Sequence, residues 1–277
     1  MRIAVISDLH LGAGDAAERC VHRDETLLAW LDELEASHER ILLLGDIWET
    51  LTDPTRPGAS RRMLDRARRA HASLAGRFER PAYIHFCGNH DPVTREYGAR
   101  EQLVWDHGGD RYLFVHGDVL DSSVETQWLC TAGVYLGGWL LRMGWENAFM
   151  AFEDYAARSV DQPAAPASGF GMSAPSRAHL HTPYRQAALG LARSMGADVI
   201  VTGHTHKASV HATRSGLYLN SGSVLTHEVT WLSLDTAQGR SELHRRVLTD
   251  PNAPCLREHA RRRTGPWAEL SAAMSVG

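Results

Sequence analysis

The sequence predicts an α/β protein built as a four-layer α/β/β/α sandwich of two mixed sheets. Five short apolar runs, RIAVISD, RILLLGD, AYIHFCGN, RYLFVHGD and VIVTGH, each end in Gly, Asp, Asn or His. Uninterrupted runs of this length fit strands buried on both faces. The first three alternate with segments of helical spacing, the order of an α/β fold. After Gly203 the pattern changes to short runs joined by tight-turn signals, which adds antiparallel structure.

Taken in order, RIAVI hands over to Asp8-Leu-His10, and Leu27, Leu28, Leu31 and Leu34 then make one apolar helical stripe. RILLL ends at Gly45-Asp46. The arginine-rich stretch from Arg61 to Arg80 reads as one solvated helix with a narrow buried face. The third strand ends at Gly88-Asn89-His90-Asp91, the fourth at His116-Gly-Asp118 and the fifth at Gly203-His204-Thr-His206. Beyond it, ASVHATRSG, LYLNSGSV, EVTWLSLD and ELHRRVL read as an antiparallel meander, with Ser215-Gly216 and Gln238-Gly239 as turns. The expected main domain covers residues 1–250, with a helical cap or insertion over about 120–185. A tail over 251–277, carrying Arg261, Arg262 and Arg263, is expected to be loosely attached.

The insertion is the least ordinary region. Trp128 to Leu141 carries no charge, but its 14 residues fall short of the roughly 20 that span a bilayer. Its first reading is a core-packing or homodimer-forming helix pair. The second is a lid that binds an apolar substrate or leans on a membrane surface through residues 120–160, and its place between His116 and His204 favours that lid. The following DQPAAPASGFGMSAPS reads as a flexible loop.

With 277 residues, 43% hydrophobic and 22% charged, the chain suits one large domain or one with an embedded insertion. A net charge of −4 and the absence of a basic, aromatic-interleaved channel give no strong nucleic-acid signal. Lys207 is the only lysine, either a contact for a substrate phosphate or a solvated edge residue. The N-terminus MRIAVISDLHLG lacks a cleavage site, which predicts a cytoplasmic protein, peripheral at the inner membrane surface if the insertion touches lipid. Cys20, Cys87, Cys130 and Cys255 form no CxxC pair, so neither a disulfide framework nor a thiolate zinc site is indicated.

In open α/β sheets, ligands bind beyond the carboxyl ends of the strands, so the five polar clusters should meet. Residues one apart in an extended segment point the same way, which lets Asp8 with His10, and His204 with His206, present paired ligands. Carboxylate oxygen, amide oxygen and imidazole nitrogen suit Mn²⁺, the first expectation, or Fe²⁺ or Zn²⁺. Asp8, His10, Asp46, Asn89, His116, His204 and His206 are too many for one ion, and a two-ion centre with a shared carboxylate uses them all. Asp91 and Asp118 are read as supporting groups or turn formers, Asn220 as shaping a turn under the site, and His85 as a satisfied core residue.

These motifs, DLH, GD, GNHD, HGD and GHTH, resemble in identity and order those of the calcineurin-like metallophosphoesterases, from Asp8 to His206. The resemblance implies one ion on Asp8, His10, Asp46 and His206, and a second on Asp46, Asn89, His116 and His204, with Asp46 bridging. It implies that His90 touches the phosphate and protonates the leaving oxygen, with Glu49 orienting it. The implied reaction is phosphoester hydrolysis, in which a hydroxide held between the ions attacks phosphorus in line.

Within the superfamily, DLHLG, GD-x-x-E, HGD and the long insertion look like the UDP-2,3-diacylglucosamine pyrophosphatases of lipid A synthesis and their relatives, though His90 stands where those enzymes carry arginine. Three functions are expected in descending order: a metal-dependent phosphomonoesterase or phosphodiesterase, with a lipid-linked nucleotide among its candidate substrates; a nuclease or cyclic-nucleotide phosphodiesterase; and a catalytically silent scaffold.

Overall fold

The computed structural model of the chain describes residues 1–120, 124–145, 147–148, 181–214, 216–248, 255–261 and 274–276. β1 (Arg2–Ile6), β2 (Arg40–Leu44) and β3 (Tyr83–Phe86) run parallel. Between them lie α1 (Asp24–Ser37), α2 (Arg61–Ala70) and α3 (Ala72–Phe78). β4 (Gln102–His107) and β5 (Asp110–Val115) form a hairpin, followed by α4 (Val124–Arg142) and α5 (His181–Ser194). The remaining strands are β6 (Val199–Thr202), β7 (Ser209–Thr213), β8 (Gly216–Asn220), β9 (Glu228–Asp235), β10 (Arg240–Val247), β11 (Leu256–Arg261) and β12 (Met274–Val276).

The strands form a seven-stranded sheet, β12-β11-β10-β9-β1-β2-β3, and a five-stranded sheet, β4-β5-β6-β8-β7, both mixed. The period of two along each strand builds the expected four layers. Ala4 and Ile6 face Leu27, Trp30, Leu31 and Leu34 of α1 together with Leu64 of α2 and Phe78 of α3. Ile3 and Val5 point the other way and meet Phe114, Val199, Val201, Leu217 and Leu219 of the second sheet. The outer face of that sheet, Leu113, Val115, Ile200 and Tyr218, packs on Tyr184, Ala188, Leu189 and Ala192 of α5. Each fully buried side chain of this size contributes about 1.5–3 kcal/mol, so these three apolar layers, rather than helix or strand propensity, hold the sandwich together.

Several expectations are corrected. Trp30 is buried in α1, whereas Leu28 of the predicted stripe is only partly so. The predicted helix over Arg61–Arg80 is two helices, because His71 leaves helical geometry (φ −112°, ψ 47°) and ties its ring to Asp24 and Glu18. β4 is not among the strands expected from the sequence, although Gly108-Gly109 at its end is a hairpin signal. Both glycines take positive φ (66° and 85°), as a two-residue turn of this hand requires. The expected meander is divided: β7 and β8 pair in the five-stranded sheet, while β9 and β10 lie in the other, where β9 pairs antiparallel with β1. Each half carries its own apolar face and finds a different parent sheet. Leu256–Arg261 of the expected loose tail pairs with β10, including Glu242 opposite His259.

In the insertion, α4 packs beside the loops that leave β1 and β2. Val134 is buried with Leu51, Gly138 faces Thr52, and Arg142 Nε donates to Asp15 Oδ2 at 3.0 Å. Among the described residues no helix is long and apolar enough to cross a membrane. The stretch DQPAAPASGFGMSAPS, expected as a flexible loop, lies outside the described residues.

The loop after β1 is held by Glu18, whose carboxylate accepts from the backbone N–H groups of Gly12, Gly14, Arg19 and Cys20. His71 Nδ1 lies 2.6 Å from Asp24 Oδ1 and its Nε2 lies 3.3 Å from Glu18 Oε2. Burial opposes charge on His71, but hydrogen bonds and attraction from Glu18 and Asp24 outweigh it and raise its pKa above the ordinary 6.5. A raised folded-state pKa gives stability that is complete below the unfolded value and lost as pH rises through the folded one. The denaturation midpoint of the wild type should therefore exceed that of His71→Gln most between about pH 5 and 6.5, and the gap should narrow above neutrality. A gap that does not vary with pH would disprove the tie.

Candidate metal centre

The predicted clusters meet where the strands end. The loops after β1 and β2 run side by side through Asp8 N–H to Gly45 O (3.1 Å), His10 N–H to Asp46 O (3.0 Å) and Leu11 N–H to Ile47 O (2.9 Å). The loop after β6 joins that after β5 through Gly203 N–H to His116 O (2.9 Å), and Val224 N–H reaches Asp8 O (3.3 Å). Side-chain direction here does not come from an extended backbone, as the spacing had suggested. Asp8, His10, Asp46, His204 and His206 all sit at φ between 49° and 66°, the only non-glycine residues with positive φ among those described. Such conformations cost of order 1–3 kcal/mol each and persist where the surroundings over-determine them.

Three groups of side chains bring one ligand atom each within 4.8 Å of one another: Asp8, His10 and His206; Asp46, His116 and His204; and His10, Glu49 and His90. His204 and His206 therefore serve different groups. Asp46 lies between the first two, with Oδ2 3.1 Å from His116 Nε2 and 3.9 Å from His10 Nε2. Asn89 Oδ1 approaches His116 Nε2 at 3.3 Å. All seven expected ligands, together with Glu49 and His90, thus share one region.

The donor chemistry fits a divalent cation. His116 Nδ1 donates to Leu44 O at 2.8 Å, which leaves Nε2 facing Asp46 Oδ2 and Asn89 Oδ1, two acceptors. His10 Nε2 and His206 Nε2 lie 3.3 Å apart, and the buried Asp8 Oδ1 has His206 Nε2, 3.1 Å away, as an ion-pair partner. Burial opposes charge on His116, yet Asp46 outweighs it and raises its pKa well above 6.5, so in the absence of metal a proton neutralises this spot. Metal binding would displace such protons, because ligands must be deprotonated.

Supporting contacts aim the ligands. Asp8 Oδ2 accepts from Ser7 Oγ and from His204 N–H (3.0 Å), which turns Oδ1 toward His206, 3.1 Å away. Asn220 Nδ2 donates to Gly203 O at 2.7 Å and its Oδ1 accepts from Gly222 N–H at 2.9 Å, so it shapes the turn as expected. His85 is also satisfied, through Phe78 O at 2.7 Å. Gly88 is needed for closeness: a Cβ there would run into the Asp46 carboxylate and lie 2.7 Å from its backbone nitrogen. Asp91 is the supporting group the sequence suggested, whereas Tyr184 gave little sign there. Asp91 accepts from the N–H groups of Gly88 (2.7 Å), Ile47 (2.9 Å), Trp48 (3.2 Å) and Asp46 (3.3 Å), clamping the loop after β2 to that after β3. Tyr184 of α5 donates to Gly117 O at 3.1 Å and lies against the His204 ring.

His90 Nδ1 lies 2.7 Å from Glu49 Oε2, and the same oxygen is 3.4 Å from His10 Nδ1, so Glu49 orients two histidines rather than one. Burial opposes the charge of His90, but Glu49 and Asp46 outweigh it and raise its pKa to about 9. Burial and the neighbouring His90 push His10 down to about 4. Burial opposes ionisation of Glu49, yet the two histidines hold its carboxyl well below the usual range.

Residues 1–208 match the family described as Calcineurin-like phosphoesterase. No curated protein matches the chain. Similar solved structures include wild-type Vps29 complexed with Zn²⁺ from Entamoeba histolytica, at 16% identity and TM-score 0.46, covering 94% of this chain and 99% of that one. A predicted phosphoesterase from Streptococcus pneumoniae has 14% identity, TM-score 0.42 and coverage of 94% and 97%. An archaeal phosphodiesterase has 14% identity, TM-score 0.42 and coverage of 88% and 98%. Likeness at these levels says nothing of what this chain binds or acts on.

Two measurements check the geometry. Asp91→Ala strands buried N–H groups and should cost about 3 kcal/mol in urea denaturation, with Asp91→Asn milder; a loss near zero would remove the clamp. Mn²⁺ at a hundred times its Kd should stabilise the wild type by about 2.7 kcal/mol and Asp46→Asn far less, and equal shifts would place the ion elsewhere.

Proposed function

The chain belongs to the calcineurin-like phosphoesterase family, and from that premise we propose that it hydrolyses a phosphoester at a centre for two divalent cations. Asp8, His10, Asp46 and His206 would hold one ion, and Asp46, Asn89, His116 and His204 the other. The observation that carries this reading is the position of Asp46 Oδ2, within 3.9 Å of His10 Nε2 and 3.1 Å of His116 Nε2, so that one carboxylate reaches both groups. Oxygen and imidazole donors together suit Mn²⁺, Fe²⁺ or Zn²⁺. Such cations, when bound, draw charge from phosphoryl oxygens and acidify water.

The protein's own part in the reaction lies with His90. Glu49 fixes its Nδ1 at 2.7 Å, so Nε2–H is the proton available to the leaving oxygen. The same carboxylate keeps the ring basic enough to regain that proton from water. Nearby cations would bring its pKa down from about 9 toward neutrality, where proton transfer in both directions is efficient.

A narrower reading, a lipid-linked pyrophosphate substrate met in the cytoplasm or at the inner membrane surface, is supported by α4. Leu136 and Trp139 of α4, and Met143 just beyond its end, are 41%, 37% and 53% exposed, and the helix is docked beside the loops after β1 and β2. Preferential turnover of a UDP-linked lipid over p-nitrophenyl phosphate would support it, and parity would remove it.

The central test is His90→Ala. The variant should retain two metal equivalents by elemental analysis while turnover falls by about 10²–10⁴-fold for an alkyl phosphate and less for p-nitrophenyl phosphate, whose leaving group needs little protonation. Undiminished turnover of both esters would overturn the role of His90. Two bound cations with no turnover of any ester would favour a scaffold.

A further inference from the structure

A cavity of about 300 Å³ shares a wall with the metal centre. Its lining includes His206 and Lys207 after β6, Ser223 from the β8–β9 connection, Glu228 and Thr230 of β9, and Arg245 of β10. His206 is the common member: its imidazole belongs to the Asp8 and His10 group, and it also bounds the cavity. Arg245 is paired with Thr230 across the β9–β10 ladder, and its Nη2 donates to Ala208 O at 3.2 Å. The guanidinium is thus anchored on the wall, and Nη1 lies 3.7 Å from Glu228 Oε1. Lys207 is the only lysine in a chain whose basic side chains number 29. It follows the ligand His206 directly and brings an ammonium, a point charge on a flexible stem, where a planar guanidinium is the rule in this chain.

Among the described lining residues Lys207 and Arg245 bring two cations and Glu228 one carboxylate, and the volume is at the small end for a ligand pocket. An anionic group bound there would replace part of the attraction between Arg245 and Glu228 with charge-assisted hydrogen bonds from both cations. We propose that this cavity is a subsite for a second anionic group, phosphate or carboxylate, on the same molecule as the reacting phosphoryl group. The inference rests on the phosphoester reading above and narrows it to substrates charged at two places. A phosphoester with a neutral remainder would leave the subsite empty and bind less tightly.

The test uses the full metal-loaded chain and phosphonates of matched length, with three to six methylenes: alkylphosphonates, ω-carboxyalkylphosphonates and α,ω-bisphosphonates. Calorimetric Kd and competitive inhibition of p-nitrophenyl phosphate hydrolysis are read as ratios within each protein. In the wild type at least one doubly anionic length should bind about tenfold more tightly than its alkyl counterpart. The ratio should fall toward one in Lys207→Gln and in Lys207→Gln/Arg245→Gln, and the single variant keeps the test usable if the double one does not fold. The better of the carboxylate and bisphosphonate arms identifies the second group. No preference at any length in the wild type, or a preference that survives both variants, overturns the subsite while alkylphosphonate binding upholds the phosphoester reading. Failure of every phosphonate to bind, with no turnover, sinks that reading and the subsite together.

Discussion

The structure turns on a surplus of buried acceptors around Asp46. Asp8 and Asp46 are both buried, near enough that each opposes ionisation of the other, and imidazoles flank them on both sides. An isolated buried charge costs several kcal/mol, so the cluster is tolerable only when protons or cations neutralise it. In the absence of metal, protons on histidines such as His116 perform that task. Exchange of those protons for divalent cations is the chemical capacity that this arrangement stores.

Holding such a cluster requires the loops to be stiffer than their composition implies. The candidate ligands in left-handed conformations are kept there by backbone bonds between neighbouring loops and by Asp91, whose carboxylate gathers N–H groups from two of them. Burial and Asp46 push Asp91 up to about 7, while those N–H groups pull it back toward the ionised form. The buried core on both faces of the sheets gives these contacts a fixed base. Strain at the site and dense packing beneath it are two parts of one design.

The surroundings of the centre differ in character. Beside the loops that leave β1 and β2 lies α4 with its exposed apolar side chains, whereas the loops that leave β6 and β8 border a cavity with two cations. A substrate spanning the centre would meet apolar surface in one direction and positive charge in another. In the proposed reaction the chemistry at the centre is common to phosphoesters, which leaves selectivity to these flanks.

Much was legible in the sequence because its signals are local. A run such as RILLLGD states a buried strand and the polar end of that strand within seven residues, and DLH, GNHD and GHTH name their donor atoms by residue type alone. Tertiary structure decided the pairings. His10 meets His206 across 196 positions, His204 and His206 part to different groups, and Glu49 serves two rings. It also divided β7–β8 from β9–β10 and broke the Arg61–Arg80 helix at His71. The physical reason is common to these cases: periodicity says which face of a segment is apolar, but the segment that covers it, and hence which side chains meet beyond it, is settled only when distant parts of the chain compete for the same core.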